Sequence, residues 1–206
     1  MREIFLGDCR ELIKTLPNES VDIIFTDPPY FEKDMWTWEW LSQECPRVMK
    51  PGTFLLTYVG KHALPTTYKN LESLEWEYYW QLESVFLNSH TAFFDKAFFS
   101  CHHPILVYCK KPVPKRHNKW CPDARANRKS DKRFHEWGQG LEVIWYYLQK
   151  FADPGALVFD PFVGGGTVPA AARLLNMNYI GFEIDENSAQ VAKNRLVILE
   201  ERLKGG

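Results

Sequence analysis

Ala156-Leu157-Val158-Phe159-Asp160-Pro161-Phe162-Val163-Gly164-Gly165-Gly166-Thr167 is the stretch that decides the fold. Its first four residues are apolar and read as a short strand buried in a parallel sheet. Three successive glycines cannot continue a strand well and mark a turn that brings backbone close to something else. A helical pattern follows over Val168 to Leu175. Tyr179 to Phe182 then reads as the next strand, and it ends on Glu183, 19 residues past the first glycine. Strand, glycine turn, helix, strand and terminal acid form the pattern of a nucleoside-binding crevice. The glycines let the backbone approach the ligand, and the acid at the second strand's tip can accept hydrogen bonds from ribose hydroxyls.

A second strand-to-turn unit lies far upstream. Val21-Asp22-Ile23-Ile24-Phe25-Thr26 is another buried strand, and it runs into Asp27-Pro28-Pro29-Tyr30. Neither proline has an N–H to give to a ladder, so the chain must leave the sheet in a stiff, extended turn. Open α/β sheets bind ligands at that carboxyl edge. The turn offers a carboxylate at Asp27, carbonyl groups without competing amides and a flat ring at Tyr30. A planar substrate with an exocyclic amine calls for those parts, acceptors for its N–H bonds and a ring to stack on.

The remaining segments fit around these two units. Ile4 to Leu6 reads as a strand ending at Gly7-Asp8, and Arg10 to Leu16 as a helix with Asp8 as its N-cap. Residues 31–37 read as a loop beside the turn, Trp38 to Met49 as a helix and Thr53 to Val59 as a strand. Residues 61–80 read as a helix with loops, Gln81 to Phe86 and Ile105 to Tyr108 as strands, and Gly140 to Phe151 and Glu186 to Leu203 as helices. The βαβ rhythm gives an α/β, doubly wound, mostly parallel Rossmann-like sheet with helices on both faces. At 206 residues the chain reads as one domain, 1–206, able to bury a full core.

Composition narrows the function. No run of 18 apolar residues exists, so no membrane span is expected. The amino terminus enters structure without a signal-peptide pattern, and five widely spaced cysteines suit a reducing cytoplasm. The cysteines and histidines fit no ligand-pair spacing, so no metal is expected. The net charge of −1 hides an asymmetry: residues 110–133 carry ten Lys/Arg against two acids, and the rest of the chain carries −9. This stretch contains Pro112, Pro114 and Pro122, lacks hydrophobic periodicity and reads as a loop. Basic residues there, Lys115, Arg116, Lys119, Arg125, Arg128 and Lys129, interleave with Trp120 and Phe134 and are candidates for phosphate contacts.

Taken together, the Asp-Pro-Pro-Tyr and Asp-Pro-Phe-Val-Gly-Gly-Gly-Thr motifs resemble the amino-methyltransferases that use S-adenosylmethionine. The order, catalytic turn first and cofactor turn last with a basic stretch between, is similar to the circularly permuted beta group of bacterial and phage DNA methyltransferases. The resemblance covers Ile4–Tyr30, Leu41–Tyr58, Ile105–Lys110 and His135–Leu196. It implies that Asp27 and the Pro28 carbonyl accept hydrogen bonds from the target amine and that Tyr30 stacks on the extruded base. It implies cofactor contacts from Asp8, Asp160, Phe162, Gly164, Gly166, Thr167 and Glu183, with Gln139 as a further one. The family usually has Gly-Ser-Gly where this chain has Gly164-Gly165-Gly166, and the Lys-Pro that often follows Gln139 is replaced here. An Asp opening the catalytic turn implies adenine N6 as the target, with cytosine N4 as the alternative. DNA as partner, a basic insert at about 110–134 as a small target-recognition element, a link to restriction–modification and a homodimer are further implications. Methylation of RNA or of a protein amide remains an alternative, although those enzymes usually place the glycine turn first.

Overall fold

The computed structural model describes residues 1–86, 90–115, 119–127 and 140–204. In chain order the elements are β1 (Arg2–Leu6), α1 (Cys9–Leu12), β2 (Val21–Thr26), α2 (Trp36–Val48), β3 (Met49–Tyr58), α3 (Leu64–Asn70), β4 (Trp76–Phe86) and β5 (Thr91–Phe93). They continue with β6 (Phe98–Ser100), β7 (His102–Lys110), β8 (Ala124–Asn127), α4 (Leu141–Phe151), β9 (Leu157–Asp160), α5 (Thr167–Leu174), β10 (Asn178–Glu183) and α6 (Glu186–Lys204). Eight strands form one sheet in the order β1-β10-β9-β2-β3-β7-β4-β8, and β5 and β6 form a separate hairpin. The five strands from β1 to β3 are mutually parallel, β7 runs antiparallel to β3 and β4, and β8 is parallel to β4.

The central strands carry almost unbroken apolar runs because both faces of the sheet are covered. On one face Ile23, Phe25 and Val158 pack against Val143, Ile144, Tyr147 and Leu148 of α4, Ala170 and Ala171 of α5, and Ala192 and Leu196 of α6. On the other, Ile24, Leu55 and Phe159 pack against Trp38, Leu41 and Cys45 of α2, with Cys9, Ile13 and Leu71 beside them. This is the doubly wound arrangement that the βαβ rhythm predicts.

The chain leaves β9 through α5 to reach β10 on one side, and it leaves β2 through α2 to reach β3 on the other. β9 and β2 are direct neighbours, so the winding reverses between them. Their ladder pairs Ile23 with Val158 and Ile24 with Phe159. Beyond that point the two carboxyl ends diverge into the turns at Asp27 and Asp160. A reversal of this kind opens a crevice at the carboxyl edge.

Three expectations change. Residues 61–80 hold α3, but Trp76 to Trp80 belong to β4 rather than to a helix with loops. The pairing of β4 with β7 shifts register between Tyr78 and Trp80, and a bulge of this kind breaks the period-two alternation that marks a strand in sequence. The stretch 110–133 is not all loop, since Ala124–Asn127 adds β8 to the sheet. Ala-Arg-Ala-Asn has no strand preference of its own, and its conformation comes from pairing with Glu83 to Phe86. Lys110 ends β7 and is only 8% exposed, its Nζ donating to the Met49 carbonyl at 2.7 Å and to Glu19 Oε1 at 3.3 Å. It therefore supports the fold at the amino edge of the sheet.

Candidate active site

Four neighbouring strands, β1, β10, β9 and β2, deliver their last residues to the same edge of the sheet. Asp8 follows β1, Glu183 ends β10, Asp160 ends β9 and Asp27 follows β2. Leu6 pairs with Glu183 in register, and the Gly7 N–H donates to the Glu183 carbonyl at 2.8 Å. The Glu183 side chain reaches the glycine turn, its Oε2 accepting the Gly164 N–H at 2.7 Å while Oε1 accepts the Asp185 N–H at 2.9 Å.

The two turns are bonded to each other at their roots. Thr26, buried at the last position of β2, donates its hydroxyl to Asp160 Oδ1 at 2.7 Å, and the same oxygen accepts the Phe162 N–H at 3.1 Å. Asp160 is buried, which pushes its carboxyl up to about 7 from an ordinary 3.8. The two hydrogen bonds oppose that rise, and the negative charges of Asp27 and Glu183 add to it. Asp160 therefore feels the carboxylates of both neighbouring strand ends, which suits a cationic guest.

The glycine turn is shaped for close approach. Gly164 has φ 51° and Gly166 φ 78°, both in the left-handed region. A Cβ on Gly166 would lie 2.9 Å from Ala192 Cβ, so α6 packs directly on the turn. From α6 the buried Arg195 donates Nη1 to Thr167 Oγ1 at 2.8 Å and to the Gly165 carbonyl at 3.3 Å. Phe162 meets the buried Trp40 edge-on, with centroids 5.9 Å apart. Asp8 caps α1 by accepting the Arg10 N–H at 2.9 Å, and hydrogen bonds from the Arg10 guanidinium hold its carboxyl below the usual range. Arg10 also lies over the Trp36 ring at 5.0 Å. Trp38 and Trp40 are core residues, and Trp36 is partly exposed beside Arg10.

Tyr30 is half-buried, and burial together with the nearby Asp27 charge pushes its phenol up. Its surroundings come from the turn after β3 and from β7: His62 Nε2 lies 3.2 Å from the Tyr30 carbonyl, and the His103 ring meets the Tyr30 ring edge-on.

The basic residues divide between the two edges of the sheet. Lys115 is exposed three residues past Pro112, whose carbonyl lies against Gly52 near the start of β3. Lys119 donates to the Gln149 carbonyl at 2.9 Å and to Asp153 Oδ1 at 3.0 Å, at the carboxyl end of α4. Both are at the amino edge, away from Asp27. Arg125, on β8, pairs with Glu142 at 3.4 Å and lies over the Tyr146 ring at 4.4 Å. Asn127 beyond it and Gly140 before α4 stand toward the carboxyl edge. Arg116, Arg128, Lys129 and Gln139 lie outside the described residues. Among the described residues no group of three or more His, Cys, Asp or Glu is placed to hold a metal ion, and no helix is long and apolar enough to cross a membrane.

Thr26, Arg195 and His62 carry much of this geometry and were not singled out in the sequence. Thr26 had one signal, its position immediately before the proline turn. The other two act across 28 and 32 residues of chain, and no local pattern marks them.

Comparison with known proteins shows the family. Residues 21–194 match the DNA methylase family of N6 and N4 methyltransferases. The chain belongs to that family. It is similar to the type II methyltransferase M.HinfI of Haemophilus influenzae, 26% identical over 95% of this chain and 68% of that one. Among solved structures, the M1.HpyAVI–SAM complex superposes with a TM-score of 0.78 at 24% identity, over 95% of this chain and 99% of the other. The PvuII DNA methyltransferase, specific for cytosine N4, superposes with a TM-score of 0.79 at 12% identity, over 99% and 93%. Both likenesses establish the methyltransferase fold.

Proposed function

We propose that this DNA methylase transfers a methyl group from S-adenosylmethionine to the N6 amine of an adenine flipped out of duplex DNA, and that it is of the permuted beta group. The observation that carries the reading is the Thr26–Asp160 hydrogen bond. It fixes the amine-accepting turn and the glycine turn side by side, at the point where the winding of the sheet reverses. The order of the strands along the chain, β2 before β9, supports the permuted assignment.

The site's chemistry fits the cofactor. Asp160, Glu183 and Asp27 raise the local negative charge, and a sulfonium-bearing ligand relieves it. Gly164, left-handed and only partly buried, presents bare backbone at the turn, Phe162 supplies an apolar wall, and Asp8 and Glu183 sit side by side as acceptors for the nucleoside end. When bound, the cofactor supplies a methyl group already activated by positive charge, so the chain's task is to present the nucleophile.

Asp27 and the Pro28 carbonyl accept the two N–H bonds of the amine. They favour a tetrahedral nitrogen whose lone pair points away from the ring, and they stabilise positive charge as it develops. The rigid proline turn holds both acceptors in place, so that attack relies on positioning. Stacking on Tyr30 offsets part of the cost of flipping the base. Arg125, on the strand that ends toward the carboxyl edge, approaches the phosphates.

The test is transfer of labelled methyl from S-adenosylmethionine to unmethylated plasmid DNA, followed by nucleoside mass analysis. N6-methyladenine is expected. N4-methylcytosine would move the target to cytosine, and label in tRNA or protein alone would overturn the reading. Asp27→Ala is expected to lower turnover by roughly 10²–10³-fold with cofactor affinity retained.

A further inference from the structure

Tyr30 is enclosed by three elements that the mechanism above does not use. Gly60 follows β3, His62 sits in the short turn after it, and His103 is the second residue of β7. Because β3 neighbours β2, and β7 neighbours β3, all three meet Tyr30 from one side of the crevice. The His62 ring lies edge-on to the Tyr30 ring, with centroids 6.4 Å apart at 64°, and the His103 ring lies 6.4 Å away at 80°. His62 Nε2 is 3.2 Å from the Tyr30 carbonyl, an acceptor, so Nε2 carries the hydrogen.

Gly60 closes the third side. Its backbone, φ −73° and ψ 128°, is open to any residue, so the requirement is space and not conformation. A Cβ there would stand 2.8 Å from His62 Cε1 and 3.0 Å from Tyr30 Cδ2. Tyr30 and His62 both rest on the bare backbone of Gly60. Behind them His103 is braced by Phe86 at 5.1 Å and Tyr58 at 6.3 Å.

We infer that His62 is a positioning residue for the stacking platform: its Nε2–H fixes the Tyr30 main chain while Gly60 and His103 form a collar that holds the ring at one angle. This rests on the proposed role of Tyr30 in receiving the flipped base. The two flanking imidazoles leave Tyr30 few orientations, so little rotational freedom remains to be lost when the base arrives. His62 is exposed, so its replacement does not leave a hole in the core.

The experiment compares His62→Leu, which removes the donor, with His62→Gln, which keeps an N–H at a similar reach. Turnover and KM for unmethylated plasmid DNA are measured with labelled S-adenosylmethionine, and cofactor affinity by calorimetry. Protein labelled with 3-fluorotyrosine is followed by fluorine NMR, with the Tyr30 line assigned by Tyr30→Phe. His62→Leu is expected to lower kcat/KM for DNA about threefold to tenfold, the worth of one hydrogen bond, with cofactor affinity within about twofold of wild type. Its Tyr30 line should move or broaden, and His62→Gln should restore both readouts. Gly60→Ala should show the same loss as His62→Leu, because its Cβ displaces both rings.

An unchanged Tyr30 line in His62→Leu, or a His62→Gln variant as impaired as His62→Leu, would overturn the inference. If the wild-type chain transfers no methyl group to DNA, the functional reading fails, and the fluorine line still decides whether the collar holds Tyr30.

Discussion

Replacing Thr26 by Val nearly keeps the side chain's shape and removes one buried hydroxyl. That hydroxyl donates to Asp160 Oδ1 at 2.7 Å inside the core of the site. Burial has raised the Asp160 carboxyl from 3.8 to about 7. Between those values the folded protein keeps a proton that the unfolded chain has released. Stability therefore falls as pH rises through that window and levels off above it. Over about three pH units the full effect is at most about 4 kcal/mol. The hydroxyl limits it by stabilising the charged form. A hydrogen bond to a charged group is worth about 1.5–3 kcal/mol, and one to a neutral group about 0.5–1.5 kcal/mol. Thr26→Val should thus cost about 1 kcal/mol near pH 5, where Asp160 is protonated, and about 2 kcal/mol near pH 8.5, where it is ionised in the wild type. Urea unfolding of both proteins at the two pH values measures the difference directly, and other titrating groups cancel in the comparison. Equal losses at the two pH values, or a larger loss near pH 5, would refute the assignment of a buried, Thr26-stabilised carboxylate.

Gly166→Ala places a Cβ 2.9 Å from Ala192 Cβ at a φ of 78°. It should destabilise the fold by roughly 1–3 kcal/mol, seen as a lower Tm, and weaken cofactor binding. Arg195→Met removes the bonds to Thr167 Oγ1 and the Gly165 carbonyl. Calorimetry should show about a tenfold loss of cofactor affinity, since two charge-assisted bonds shape the turn. Arg125→Ala should reduce the slope of log affinity for DNA against log salt by about 1, the signature of one lost phosphate contact. Lys119→Ala, at the opposite edge and tied to Gln149 and Asp153, should leave that slope unchanged.

The two turns were legible in the sequence because covalent chemistry writes them locally. Prolines at 28 and 29 cannot continue a ladder. Glycines at 164 and 166 take left-handed values that other residues avoid. Buried parallel strands read as apolar runs, and so β2, β9 and β10 stand where the pattern puts them, while β3 begins at Met49, four residues before its expected start at Thr53. β4 was partly hidden because its bulge broke the alternation, and β8 because Ala124-Arg125-Ala126-Asn127 becomes a strand only by pairing with β4. The charge of the basic stretch was visible, but its division between the two edges of the sheet was not.

By itself the sequence determined that two strands end in a proline turn and a glycine turn, since missing amide donors and φ limits act within a few residues. Only the tertiary structure decided that those turns are neighbours. That outcome depends on β9 lying beside β2, with Thr26 and Asp160 bonded across 134 residues of chain. The same holds for His62 on Tyr30 and Arg195 on the glycine turn. Contacts between distant segments are selected by the burial and pairing of whole elements, and no short window of residues carries that information.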